Sequence, residues 1–296
     1  MKNPKLLSEI HKKLVHKGWE KLQASRALKV IELLGAGMLV TEVNENHVEH
    51  LVQTLEERGL TGSTINRYLA SLSKMLSYAH KRHAIYHMER MPFIEWHEES
   101  EGRDRYLMPE EEQEMIRLMT DWNLVDYLEL YLFLIDSGMR LGEALSFKKS
   151  NVDVQQTAKG KILVVHLKGA QTKNGHRRSI PLTKRAISIV NPLLANIDRN
   201  DKVFGHLNYW RAENVWRRLR KAMGLEDDKD FVIHCLRHTC ATRLAQSGKI
   251  ELHLVGEMLG HRSWVMIKRY AHLIPSNLRG AIDVLDNHND KLSVNG

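Results

Sequence analysis

Between Ser63 and Arg82 the apolar residues Ile65, Leu69, Leu72, Leu76 and Ala79 recur at steps of four and three, which puts them on one face of a helix. Arg67, Lys74 and Lys81 fall seven apart on the opposite side and form a basic stripe, and Thr61 or Ser63 supplies an oxygen able to cap the start. The rest of the first hundred residues reads as further helices with polar joints. Residues 91–106 (MPFIEWHEESEGRDRY) break this pattern with mixed charge, one glycine and one proline, and predict a linker between a helical domain over 1–100 and a second domain over 105–296. Pro109 followed by Glu110, Glu111 and Glu112 predicts a first helical turn, where carboxylates suit the positive end of the helix dipole. Residues 125–146 read as a buried helix pair, apolar almost throughout from Leu130 to Ile135.

The periodicity then changes. Lys161 to Leu167 is rich in β-branched residues, Asn174-Gly175 is a strong hairpin signal, and Arg177 to Leu182 reads as the return strand. Beyond Thr183 the pattern is helical again. It includes a helix near Tyr209 to Ala222 with Trp216 and Leu219 inward and Arg217, Arg218, Arg220 and Lys221 largely outward. The expected fold is mainly α with a small antiparallel β-sheet, an α+β arrangement. No internal repeat or low-complexity tract interrupts it.

Composition narrows the class. At about 150 residues per domain, 296 residues suit two domains. A chain with 43% hydrophobic and 27% charged residues and 6 prolines is neither disordered nor collagen-like. Two cysteines make no disulfide framework. The longest uncharged stretch, Ala186 to Ile197, has twelve residues, against the roughly 18 needed for a membrane span. Met1 to Lys13 lacks the apolar block of a secretory signal, so a cytoplasmic protein without a membrane partner is expected. The net charge of +8 is unevenly spread: residues 161–221 hold 14 basic and 3 acidic side chains, eight of the basic ones arginine. Such a block attracts a polyanion, nucleic acid above all, although a solvated surface accounts for part of it.

Four short segments carry the candidate chemistry. They are Gly138-Met139-Arg140-Leu141-Gly142-Glu143, Thr172-Lys173-Asn174-Gly175, His234-Cys235-Leu236-Arg237-His238-Thr239, and Leu259-Gly260-His261 with Arg269-Tyr270-Ala271-His272 close behind. His234 and Arg237, three apart, share one helix face. Lys173 sits at the lip of a hairpin, from which a long side chain reaches into a groove. Two arginines, two histidines, a lysine and a tyrosine suit attack on a phosphodiester: the guanidinium groups hold the non-bridging oxygens and offset the charge of the pentacoordinate transition state. A free phenol has a pKa near 10, so it needs a cationic site and a nearby base to attack at neutral pH. No acidic cluster for Mg²⁺ accompanies the set, so the guanidinium groups do the metal's work. His80, His83 and His87 do not form an H-E-x-x-H pattern because position 84 is alanine, and Cys235 and Cys240 lack C-x-x-C spacing, so no metal site is expected.

Taken in order, these segments resemble the tyrosine recombinase (phage-integrase-type) family, whose pattern is an arginine in R-x-x-E, a lysine on a β-hairpin, H-x-x-R, a histidine or tryptophan after L-G, and a nucleophilic tyrosine. The resemblance spans nearly the whole chain, with Thr61 to Ala84 similar to the characteristic helix of the family's core-binding domain. It implies a helical core-type DNA-binding domain followed by a catalytic domain with a C-terminal tail. It also implies these roles: Tyr270 attacks the scissile phosphate to give a 3′-phosphotyrosyl link and a free 5′-hydroxyl; Arg140 and Arg237 clamp the phosphate; and His261 donates a further hydrogen bond. Lys173 is the general acid, His234 assists as base toward Tyr270, and Glu143 supports the arginines. Because the ester energy stays in the phosphotyrosine, rejoining needs no ATP, metal or other cofactor.

Arg67, Lys74, Lys81, Arg177 and Arg178 are the expected DNA contacts. The implied partners are double-stranded DNA with specific recombination sites and three further copies of the chain, giving a tetramer on two sites, with accessory DNA-bending proteins possible and a nucleoid location. Leu278, Ile282 and Leu285 form an apolar stripe after Pro275, and in this family such a tail packs on the neighbouring protomer. Three positions depart from the pattern: Cys235, Ile267-Lys268 and Met108. The N-terminal portion is short for an added arm-site-binding domain. The competing readings are a type IB topoisomerase-like relaxing enzyme and a catalytically silent DNA-binding regulator.

Overall fold

The computed structural model describes residues 5–98, 104–157, 160–169, 175, 177–260 and 270. The chain divides into two compact units, residues 1–102 and 103–296.

The first unit is helical: α1 (Leu7–His16), α2 (Lys21–Leu34), α3 (Glu45–Glu57), α4 (Gly62–His80) and the short α5 (His83–Tyr86). Its centre is α4, whose Ile65, Leu69, Leu72, Met75, Leu76 and Ala79 are buried against Ala27, Val30 and Ile31 of α2 and Leu51 and Leu55 of α3. Thr61 occupies the position before the first turn of α4 without a side-chain bond to the backbone. Asn44 does cap α3, accepting from the His47 amide at 3.3 Å. The segment after α5 is held to this unit. The Asn66 side chain donates to the His97 carbonyl at 2.9 Å and accepts from the His97 amide at 2.9 Å. Arg67, Lys74 and Lys81 are exposed on the outer face of α4, with the Lys74 ammonium 5.1 Å from the centre of the Trp19 ring.

The second unit is built on α7 (Val125–Ser137), preceded by α6 (Pro109–Asp121) and followed by a single turn, α8 (Leu141–Ala144). Leu130, Tyr131, Phe133, Leu134 and Ile135 of α7 are all buried, as an element covered on most sides must be. Phe133 stacks on Phe147 with 5.6 Å between centroids and lies 5.2 Å from Phe204. Tyr131 and Trp216 meet edge to face at 5.3 Å. Their polar atoms are satisfied by carbonyls: Tyr131 Oη donates to Ala212 at 2.7 Å and Trp216 Nε1 to Phe231 at 3.0 Å.

Three antiparallel strands follow, in the order β1 (Val152–Thr157), β2 (Gly160–Leu167), β3 (Arg178–Pro181), with Val152 opposite Val165 and Leu167 opposite Arg178. β1 is an edge strand with exposed polar side chains, so its sequence carries no apolar alternation and the periodicity does not reveal it. Among the described residues the pairing of β2 with β3 runs from Val164 opposite Pro181 to Leu167 opposite Arg178, and residues 168–177 connect the two strands. Within that connection Gly175 has φ +71°, in the left-handed region that favours glycine.

The chain then forms α9 (Lys184–Ala195), α10 (Tyr209–Ala222), α11 (His234–Gln246) and α12 (Leu252–Leu259). A charged network fixes α11. Glu112 of α6, 8% exposed, accepts from Arg185 of α9 at 2.7 Å and from Arg243 of α11, while Asp136 of α7 accepts from Arg185 at 2.5 and 2.9 Å. Among the described residues no helix is long and apolar enough to cross a membrane.

Candidate active site

A glycine sets the start of the site. α7 ends at Gly138, whose φ of +62° suits glycine, and a Cβ there would lie 2.5 Å from Leu259 Cδ2 and 3.2 Å from Cys240 Sγ. The tight turn leaves Arg140 extended (φ −73°, ψ 150°) just before α8. The Glu143 carboxylate accepts from the Arg140 amide at 2.8 Å and from Arg140 Nη1 at 2.9 Å, so the R-x-x-E spacing becomes a closed loop of two hydrogen bonds.

Arg178 closes the other side of Glu143, Nη2 donating to Oε2 at 2.6 Å and Nη1 to Oε1 at 3.2 Å. This placement differs from the sequence-based expectation that Arg178 faces DNA beside Arg177. Its side chain is only 6% exposed, while Arg177 points outward. Within β3 Arg178 and Ile180 share the inner side of the sheet, which holds a buried carboxylate, whereas Arg177 precedes the strand and is exposed. Burial pushes the Glu143 carboxyl up. The hydrogen bonds and charge of Arg178, then those of Arg140, outweigh it and leave its pKa below the ordinary 4.5.

α11 supplies the H-x-x-R pair, His234 and Arg237. Arg237 is buried, its Nη1 donating to the Gly138 carbonyl at 2.7 Å and its Nη2 to the Leu259 carbonyl. Burial first, and then the positive charges of Arg140 and Arg178, pull the Arg237 pKa down to about 9, with Glu143 and Tyr270 acting in the opposite sense. A guanidinium in that state gains from any anion brought beside it. His234 is exposed. Arg140, Glu143, His234 and Arg237 line one cavity of about 400 Å³, together with Tyr209 and Glu213 of α10.

Tyr270 is buried among Ala241, Ala245, Val255 and Leu259. Its hydroxyl meets Nδ1 of His238 at 2.8 Å, so the imidazole at the phenol is His238 and not the expected His234. The signal for His238 was present in the sequence, four residues after His234 and one turn along the same face. Cys235 and Cys240 are buried thiols, both with pKa values pushed up by burial. Lys173, His261, Ile267-Lys268 and the tail residues Leu278, Ile282 and Leu285 lie outside the described residues.

Comparisons with known proteins supply the family. The model of the phage integrase family matches residues 105–276, more than half of the chain. The chain belongs to the phage integrase family. It is 29% identical over 235 residues to the shufflon-specific DNA recombinase of Escherichia coli, covering 79% of this chain and 57% of that protein. It is 26% identical over 206 residues to the integrase of Salmonella phage P22, covering 64% of this chain and 49% of that protein. The chain thus spans about half the length of these relatives. Its fold is that of solved phage-integrase-type structures. The Tn1549 transposon integrase in complex with transposon right end DNA superposes with TM-score 0.68 at 16% identity, covering 95% of this chain and all (100%) of that one. A lambda integrase dimer bound to a core site gives 0.64 at 17%, covering 91% and 78%.

Proposed function

We propose that this chain is a site-specific DNA recombinase, an integrase of the metal-independent class, that cuts and rejoins DNA through a 3′-phosphotyrosyl link to Tyr270. The observation that carries this reading is the gathering of three guanidinium groups, Arg140, Arg178 and Arg237, around the single carboxylate of Glu143, next to a cavity of about 400 Å³. A phosphodiester entering that cavity offsets part of the excess positive charge, and in this reading Arg140 and Arg237 hold its non-bridging oxygens as negative charge grows in the transition state. Tyr270 is near enough for its charge to act on Arg237. In this reading Lys173 protonates the leaving 5′ oxygen and His261 adds a hydrogen bond to the phosphate.

The first unit, 1–100 in the sequence reading, is then the core-type DNA-binding domain, with Arg67, Lys74 and Lys81 on phosphates and Arg177 contributing from the second. The DNA rearrangements named for the similar shufflon recombinase and phage integrase support double-stranded DNA with specific sites as substrate. Four protomers on two sites, DNA-bending accessory proteins and association with the nucleoid complete the proposal.

The test starts from duplexes selected for binding out of a random pool, nicked near the bound centre so that a cut strand cannot be rejoined. Wild-type protein should become covalently attached to DNA through a peptide containing Tyr270, and Tyr270→Phe should bind equally well without attachment. Attachment persisting in Tyr270→Phe would falsify the assignment. Relaxation of supercoiled plasmids lacking any selected site, by a monomer, would move it to the topoisomerase-like reading.

A further inference from the structure

A groove of about 620 Å³ runs along α3 in the first unit. One wall is a face of α3 on which Glu45, Glu49, Val52 and Glu56 recur at steps of four, three and four, while Val48, Leu51 and Leu55 of the same helix are buried. The other wall is the segment 93–98. Ile94 is buried beneath it, the Phe93 amide donates to Glu45 Oε1 at 3.3 Å, and the His97 backbone makes its paired bonds with Asn66. Gly62 lets that segment approach, since a Cβ there would lie 2.9 Å from His97 Cβ. The walls are thus fixed before anything enters between them, which lowers the cost of binding.

Two features mark a docking surface. Phe93 and Trp96 line the groove while 70% and 51% exposed, and large aromatic side chains left in water are the type that carries binding energy at interfaces. Charge is the second feature. Glu45, Glu49, Glu56, Glu95 and Glu98 line the groove and no described lysine or arginine does, in a chain of net charge +8. Among the described residues their ion-pair partners are Arg90, 3.0 Å from Glu45 and itself exposed, and His97, 4.0 Å from Glu56. Five carboxylates repel a phosphate backbone and attract a cationic segment. We propose that this groove docks a basic amphipathic helix of a partner protein, its aliphatic face packed on Phe93, Trp96 and Val52 and its lysines or arginines set against the flanking glutamates. The chain's own tail has the wrong charge for this, residues 271–296 holding Arg279 and Lys291 against Asp283, Asp286 and Asp290. The surface stands apart from the chemistry at Tyr270 and adds recruitment to it.

The experiment uses the full chain without DNA and titrates it calorimetrically with a synthetic peptide of about 18 residues, built of leucine and lysine with one apolar helix face. Two control peptides carry glutamate for every lysine, or the same residues shuffled so that no apolar face forms. Wild type should bind the patterned lysine peptide about tenfold or more tighter than either control. Trp96→Ala should weaken that binding about 30-fold, and Glu49→Lys with Glu95→Lys about tenfold or more. Glu226→Lys, an exposed charge of the second unit, should leave it within about twofold. All these side chains are exposed, so each variant should melt like wild type. Failure of wild type to bind, equal binding of the shuffled peptide, or wild-type affinity in Trp96→Ala or in the double lysine variant overturns the proposal. DNA affinity, measured separately, should be unchanged in Trp96→Ala; a loss gives the groove to nucleic acid and overturns it too. So does self-association of wild type in sedimentation that Trp96→Ala abolishes, which assigns the groove to a second copy of the chain.

Discussion

Replacing Arg178 by methionine removes one of the two arginines on a carboxylate that is almost wholly buried. Glu143 is 4% exposed and Arg178 6%, and the pair is joined by bonds of 2.6 and 3.2 Å. Breaking one partner out of a buried pair costs about 3–5 kcal/mol, because the remaining charge keeps its desolvation penalty. Arg140 still donates two bonds to Glu143, at 2.8 and 2.9 Å, so the lower end applies, about 3 kcal/mol. In a unit of this size each kcal/mol moves the melting temperature by about 2–4 °C, giving an expected drop of about 6–12 °C at neutral pH. Arg178→Lys keeps the charge but loses the two-pronged fit, and should fall between wild type and Arg178→Met. Adding Glu143→Gln to Arg178→Met removes the stranded charge, so the double variant should be more stable than the sum of the single losses by 1 kcal/mol or more, on the order expected for residues in contact. Thermal melts of wild type and the four variants, Glu143→Gln alone included, decide the matter. Arg178→Met melting within about 2 °C of wild type, or strictly additive losses, would refute the view that this arginine is structural and place it back on the DNA surface.

The same carboxylate predicts an acid limb. Glu143 titrates below 4.5 in the folded chain, so its contribution to stability is complete above that value and is lost as pH falls through the folded pKa. In Glu143→Gln the melting temperature should lose this part of its dependence between pH 5 and 3; an unchanged limb contradicts the assignment. Gly138→Ala should destabilise by about 2–4 kcal/mol, from the left-handed backbone together with overpacking against Leu259 and Cys240. Gly142→Ala, where nothing lies within 4 Å of the new methyl, should be neutral or slightly stabilising by melting, and equal effects at both sites would rule out the steric account. On the outer face of α4, Arg67→Ala and Lys74→Ala should each weaken DNA binding and lower the slope of log affinity against log salt by about one. A slope that does not move assigns that stripe to solvent.

Much of the architecture is legible in the sequence because helix periodicity is a local property. α10 occupies Tyr209–Ala222, the residues its pattern marks, with Trp216 and Leu219 inside. The edge strand β1 is not legible, since VDVQQT buries almost nothing and carries no apolar rhythm. Arg177 and Arg178 look alike as neighbours in a basic block, yet Arg177 lies before β3 and is exposed while Arg178, the first residue of the strand, turns onto Glu143.

The order of residue types along the chain was enough to point to a mainly helical protein of the phage integrase family and to single out arginines, histidines and a tyrosine as candidates for phosphoryl chemistry. That order is written in one dimension and survives whatever the packing does. Which imidazole meets the phenol, and which arginine turns inward, depends on distances of a few ångströms between α11 and Tyr270, and between β3 and α8. Such distances arise only when elements far apart in sequence close around a common core, where a buried charge or hydroxyl must find a partner.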